Sequence, residues 1–143
     1  MTDRTLNIVL VDDDDVDVMN VQRAFSKGNI PHPLYVAQDG ISALALLRSD
    51  EVPYARRLVL LDLNMPRMNG IEFLRELRAD RRLHRTPVVV LTTSNDDRDK
   101  VEAYDLNVAG YLLKPVTFSA FVELMSTLHQ WWSIVEIPNT PPA

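Results

Sequence analysis

The stretch NIVLVDDDDVD, residues 7–17, decides the reading of this chain: Ile8, Val9, Leu10 and Val11 form an apolar run of strand length, and it ends in Asp12, Asp13, Asp14 and Asp15, with Asp17 just beyond. Residues 8–11 read as a first strand; at 58–61 and 88–91 further strands are apolar on consecutive positions and need cover on both faces. Crowded carboxylates at the end of the first strand repel one another, so the segment needs a nearby cation or a solvated loop.

Outward from this stretch, further strand-length apolar runs lie at 34–37, 58–61, 88–91 and 108–113, and segments of helical period at about 15–28, 40–49, 70–80, 96–106 and 117–135. The order is (βα)5. Short crossovers through helices require parallel strands and right-handed connections, so the fold class is α/β, a doubly wound five-stranded parallel sheet. Ligands of such sheets bind at the carboxyl ends of the strands, near the switch in strand order.

With 143 residues, 46% hydrophobic and 24% charged, the chain is long enough for one core and one domain. It contains no apolar stretch of membrane-spanning length, and its start does not lead into a signal-peptide pattern, so a cytoplasmic protein without a membrane partner is expected. The absence of cysteine excludes disulfides and thiolate chemistry, and a net charge of −5 without a basic stripe argues against nucleic-acid binding.

The carboxyl ends of the expected strands carry a distinctive set. The first delivers Asp12 and Asp13, the third Asp62 in LVLLDLNMPRMNG, the fourth Thr92 in VVVLTTSN and the fifth Lys114 in GYLLKPV. Oxygen ligands gathered this way suit a hard divalent ion such as Mg²⁺, which keeps few carboxylates and several waters. A carboxylate attacks phosphorus in line when a metal and a cation neutralise the transferring group, and Lys114 meets the second need.

In these residues, across about 6–128, the chain resembles the receiver domains of two-component response regulators. The resemblance implies the flavodoxin-like receiver fold, Asp62 as phosphoacceptor, and Mg²⁺ held by Asp12, Asp13, Asp62 and the Asn64 carbonyl. It further implies that Thr92 and Lys114 bind the phosphoryl group, that Tyr111 is an aromatic switch, and that the peptide before Pro115 is cis. In this family the residues at Asn64 and Ser94 set the lifetime of the phosphorylated state. The implied partner is a histidine kinase, and the protein is a phosphoacceptor rather than an enzyme with turnover on external substrates. Replacing Lys114 with Met is expected to spare the fold.

Other readings of the same residues are weaker. Asp13, Asp15 and Asp17 begin a calcium-loop pattern, but Val18 stands where its glycine belongs and Ala24 where its glutamate belongs. Asp14, Asp15 and Asp17 read as a solvated helix start, favoured by the helix dipole. An aspartate-nucleophile phosphatase needs a second aspartate for proton transfer where Asp62-Leu63-Asn64 offers asparagine. An unphosphorylated pseudo-receiver is expected to lack a site residue, and none is missing. His32, His84 and His129 show no ligand spacing and read as surface residues.

After Lys114 only 29 residues remain, too few for a DNA-binding output domain. The receiver is assigned to 1–128 and the end of the last helix with an extended arm to 129–143. The last helix carries two apolar stripes, a band too wide for one buried face. A homodimer through Phe121, Leu124, Leu128, Trp131 and Val135 is therefore expected, with the β-favouring run at 134–137 as a crossing arm. The ending QWWSIVEIPNTPPA resembles the stand-alone regulators paired with bacterial phytochrome kinases. Chemotaxis and phosphorelay receivers are the alternatives.

Overall fold

A computed structural model describes residues 4–139. Ten elements alternate along the chain: β1 (Asn7–Val11), α1 (Asp15–Lys27), β2 (Leu34–Ala37), α2 (Gly40–Arg48), β3 (Arg57–Leu61), α3 (Gly70–Ala79), β4 (Val88–Thr92), α4 (Asp97–Asp105), β5 (Gly110–Leu113) and α5 (Phe118–Trp132). The strands form one parallel sheet in the order β2-β1-β3-β4-β5. The order reverses between β1 and β3, whose ends carry Asp12 and Asp62.

Every residue of β1, β3 and β4 is buried, which is why these runs are apolar without alternation. Successive side chains point to opposite faces. Val9, Val11, Val59, Leu61, Val88 and Val90 pack with α2, α3 and the buried Ala103 of α4. Ile8, Leu10, Leu58, Leu60, Val89 and Leu91 pack with Val21, Ala24 and Phe25 of α1 and with Phe121, Met125, Leu128 and Trp132 of α5.

Caps and turns set the helix ends. Asp14 caps α1, its carboxylate accepting from the backbone N–H of Val16 and Asp17, and Asn69 with Glu72 forms a reciprocal capping box on α3. At Gly70 a Cβ would lie 2.6 Å from Leu63 Cα and 2.7 Å from the Asp62 carbonyl oxygen. Only glycine lets α3 start this close to the segment that carries Asp62.

Three expectations need correction. The fifth strand begins at Gly110 rather than at position 108, because Asn107 takes a left-handed φ of 61° and Val108 N–H closes the end of α4 onto Ala103. No peptide bond among the described residues is cis, so Lys114-Pro115 is trans; X-Pro favours trans by about 0.5–1 kcal/mol unless the surroundings override it. His32 is not a surface residue: it is 9% exposed, its Nδ1 accepts the Leu6 N–H at 3.0 Å, and its ring meets His129 edge-on at 5.1 Å.

Burial, with His129 and Arg56 nearby, lowers the His32 pKa to about 4 from an ordinary 6.5. Between these values the unfolded chain binds the proton and the folded chain does not, so this histidine contributes stability at neutral pH that is lost as pH falls from 6.5 towards 4. His32→Asn keeps an acceptor for Leu6 and removes the titration. Urea unfolding of the wild type is expected to lose about 2 kcal/mol relative to His32→Asn between pH 7 and pH 5. Parallel pH profiles would contradict the assignment.

The end of α5 differs from its expected extent. Trp132 is its last helical residue, and the chain then folds back over its own domain: Arg4 Nη2 donates to the Val135 carbonyl at 3.0 Å, Arg4 Nη1 pairs with Glu136 at 3.4 Å, and Arg56 N–H donates to Asn139 Oδ1 at 3.1 Å. The remainder of the expected arm, 140–143, lies outside the described residues.

Candidate functional site

The switch in strand order delivers Asp12 and Asp13 just after β1 and Asp62 just after β3. One carboxylate oxygen from each lies within 4.8 Å of the others. Asp12 and Asp62 are buried and Asp13 is exposed, so the cluster opens to solvent on one side. Backbone donors hold two of the carboxylates in place: Asp14 N–H reaches Asp12 Oδ1 at 3.0 Å and Asn64 N–H reaches Asp62 Oδ1 at 3.3 Å.

Thr92, fully buried at the end of β4, donates its hydroxyl to Asp62 Oδ1 at 2.9 Å. Lys114, just after β5, places Nζ 2.8 Å from Asp12 Oδ2, 2.7 Å from Asp17 Oδ2 and 3.6 Å from Asp62 Oδ2. Its side chain is 9% exposed, so it is a buried counter-ion and not a solvent-facing arm. Lys114→Met is therefore expected to cost stability as well as a contact at the site.

Burial raises the Asp12 pKa to about 6, with Lys114 pulling the other way. Burial alone would lower the Lys114 pKa, but Asp12, Asp17 and Asp62 outweigh it and hold the ammonium strongly protonated. A single ammonium thus faces several carboxylates. The remaining negative charge and the all-oxygen donor set fit a hard divalent cation held by Asp12, Asp13 and Asp62.

Tyr111 is half-buried on β5, and its hydroxyl donates to the Ser94 carbonyl at 2.8 Å, in the segment that follows Thr92. The Ser94 hydroxyl in turn bonds to Asp99 of α4. A movement of Thr92 therefore has a short bonded route to α4 and to the Tyr111 ring. Thr93 and Asn64 are exposed beside the site.

The sequence reading missed Asp17. By sequence it belongs with the solvated helix start, but the first turn of α1 points its carboxylate at Lys114. No pattern within 12–17 distinguishes it from Asp14 or Asp15; only the approach of β5 does.

Residues 8–126 match the response regulator receiver domain family. The chain belongs to this family. Among curated proteins, the receiver is 35% identical over 128 residues to response regulator Rcp1 of Synechocystis sp., covering 87% of each chain. It resembles the crystal structure of the phosphorylated cyanobacterial phytochrome response regulator RcpA with a TM-score of 0.82 at 34% identity, covering 94% of this chain and 99% of that one. The Mn²⁺-bound structure of Rcp1 aligns with a TM-score of 0.79 at 35% identity, over 93% and 99% of the two chains. Receivers are signalling proteins that take a phosphoryl group from histidine kinases and bind divalent metal. No helix among the described residues is long and apolar enough to cross a membrane.

Of the residues expected at a dimer interface, Phe121 and Leu128 are largely buried in the receiver's own core, as is Trp132. Leu124, Trp131 and Val135 remain partly exposed, Trp131 at 38%. Leu124, Leu128 and Trp131 line an open apolar groove of about 380 Å³ together with Ala109, Gly110 and Leu112 of the β5 edge.

Proposed function

We propose that this receiver accepts a phosphoryl group on Asp62 from a phytochrome-type histidine kinase, in a Mg²⁺-dependent step. The observation that carries the reading is the convergence of Asp12, Asp13 and Asp62 with the Thr92 hydroxyl and the Lys114 ammonium at one switch point. An Asp62 carboxylate oxygen attacks phosphorus, the new O–P bond forms, and the P–N bond of the donor phosphohistidine breaks, its electron pair returning to the imidazole. Mg²⁺ would be held by Asp12, Asp13, Asp62 and the Asn64 carbonyl, and its charge would offset that of the incoming group. Thr92 then exchanges its hydrogen bond to Asp62 for one to a phosphoryl oxygen, and Tyr111 follows through Ser94.

The phytochrome assignment is supported by the likeness to Rcp1 and RcpA over nearly the whole of each chain. Incubation with acetyl phosphate and Mg²⁺, followed by borohydride trapping and peptide mass spectrometry, tests the acceptor. Modification confined to Asp62 and dependent on Mg²⁺ is expected; none, or modification elsewhere, would overturn it. Transfer from a phosphorylated phytochrome kinase in preference to a chemotaxis kinase tests the partner.

The same reading includes a homodimer on α5, resting on the apolar groove that Leu124 and Trp131 help to line and on the partly exposed Val135 beyond the helix. Interface aromatics carry much of the association energy, so Trp131→Glu is expected to convert dimer to monomer at micromolar concentration, measured by light scattering after size exclusion. A wild type that is monomeric with and without acetyl phosphate would remove the dimer.

A further inference from the structure

We infer that Asp17 is a positioning residue for the Lys114 ammonium, keeping it beside Asp62 when Asp12 is engaged in holding the divalent cation; the inference rests on the phosphoacceptor reading of Asp62. The ammonium has three N–H groups. Two are taken by Asp12 Oδ2 and Asp17 Oδ2, and the third is left for the side on which Asp62 Oδ2 stands at 3.6 Å.

Asp12 has two duties that conflict. It is the partner of Lys114, and it is also one of the three clustered carboxylates. Its Oδ1 accepts from Asp14 N–H and its Oδ2 from Lys114, so a cation held by this carboxylate would compete with a partner already in place. A divalent charge on this carboxylate weakens its hold on the ammonium and repels the ammonium itself. An ammonium held by Asp12 alone would swing outward on a flexible four-carbon stem.

Asp17 lies outside the carboxylate trio, and its side chain is turned to Lys114. It is fixed by its backbone: its N–H bonds the Asp14 cap, the first turn of α1 closes through Val18 N–H to the Asp14 carbonyl, and α1 packs against α5 through the shared core. The side chain is 32% exposed and reaches a nearly buried cation. The pair ties the start of α1 to the end of β5 and leaves the third N–H for the group that arrives on Asp62.

Asp17→Asn preserves shape and an acceptor oxygen while removing the charge. The initial rate of Asp62 phosphorylation by acetyl phosphate at saturating Mg²⁺ is compared in wild type, Asp17→Asn, Lys114→Met and the double variant. Asp17→Asn is expected to slow the wild-type reaction about tenfold and to make little difference in the Lys114→Met background, since its effect passes through the ammonium. A wild-type rate in Asp17→Asn, or a tenfold loss that persists without Lys114, overturns the inference. A second readout does not depend on phosphorylation: the Lys114 side-chain NMR signals of the Mg²⁺-bound protein should shift towards those of a free lysine in Asp17→Asn but not in Asp15→Asn. Unchanged Lys114 signals in Asp17→Asn overturn the inference as well. If wild type is not labelled at Asp62 at all, the phosphoacceptor reading fails, and the NMR comparison alone decides whether Asp17 holds the lysine.

Discussion

Asp62→Asn is expected to reduce acyl-phosphate formation to background while leaving the fold intact and the metal-free protein slightly more stable. The amide keeps an Oδ1 that accepts from the Thr92 hydroxyl and from Asn64 N–H, so both hydrogen bonds to this position survive. Its nitrogen lone pair is delocalised into the carbonyl, so the side chain no longer presents a nucleophile. The charge balance changes as well. Loss of the Asp62 carboxylate relieves repulsion with Asp12 and Asp13 and forfeits only the longer 3.6 Å contact with Lys114. The net gain is on the order of 1 kcal/mol in the absence of metal. With one of three clustered carboxylates gone, Mg²⁺ binding weakens, so the stabilisation by saturating Mg²⁺ shrinks relative to wild type. Borohydride trapping with acetyl phosphate, and urea unfolding with and without Mg²⁺, check the two halves. Labelling of Asp62→Asn at the wild-type rate would locate the acceptor elsewhere.

Lys114→Met removes the cation shared by Asp12, Asp17 and Asp62 and is expected to destabilise the metal-free protein by about 2 kcal/mol at pH 7. Breaking a buried ion pair by deleting one partner ordinarily costs about 3–5 kcal/mol, because the remaining charge is left unpaired in a dry site. Here the cost is capped. Asp12 already titrates near pH 6, and without Lys114 it rises further, so taking up a proton offers a cheaper escape. The deficit should therefore narrow as pH falls from 7 to 5. It should also narrow in saturating Mg²⁺, which restores positive charge to the same carboxylates. Phosphorylation of Asp62 should persist at a reduced rate, since nucleophile and metal ligands are intact, but the NMR signals of the Tyr111 ring should no longer respond to it. Equal stability of Lys114→Met and wild type in metal-free buffer would contradict the assignment of Lys114 as a buried counter-ion.

These two expectations come from different sources. The first was legible in the sequence: an apolar run ending in acids, a second run ending in Asp62, and Thr92 and Lys114 at the ends of the next two strands define a strand-edge site in any parallel sheet. The second was not. That Lys114 is nearly buried depends on where α1 and β5 meet, a contact between residues 97 positions apart.

The sequence by itself determined the (βα)5 order, the parallel sheet and the strand-end residues, because local periodicity and steric rules dictate these and leave few topologies open. It also marked the last helix as apolar on too wide a band. It divides that band into two stripes, but not along the line that packing draws: Phe121 and Leu128, placed on the outer stripe, are buried. Packing decided that Phe121, Met125, Leu128 and Trp132 belong to the core and that Trp131 does not, since a wide apolar stripe has no intrinsic inner edge until a sheet is set against it. Tertiary structure alone likewise separated Asp17 from Asp14 and Asp15, and buried His32 with His129 and Trp132. In each case the local sequence offers equivalent residues, and the choice among them is made by a distant strand or helix that brings a charge, a donor or a dry surface to one of them.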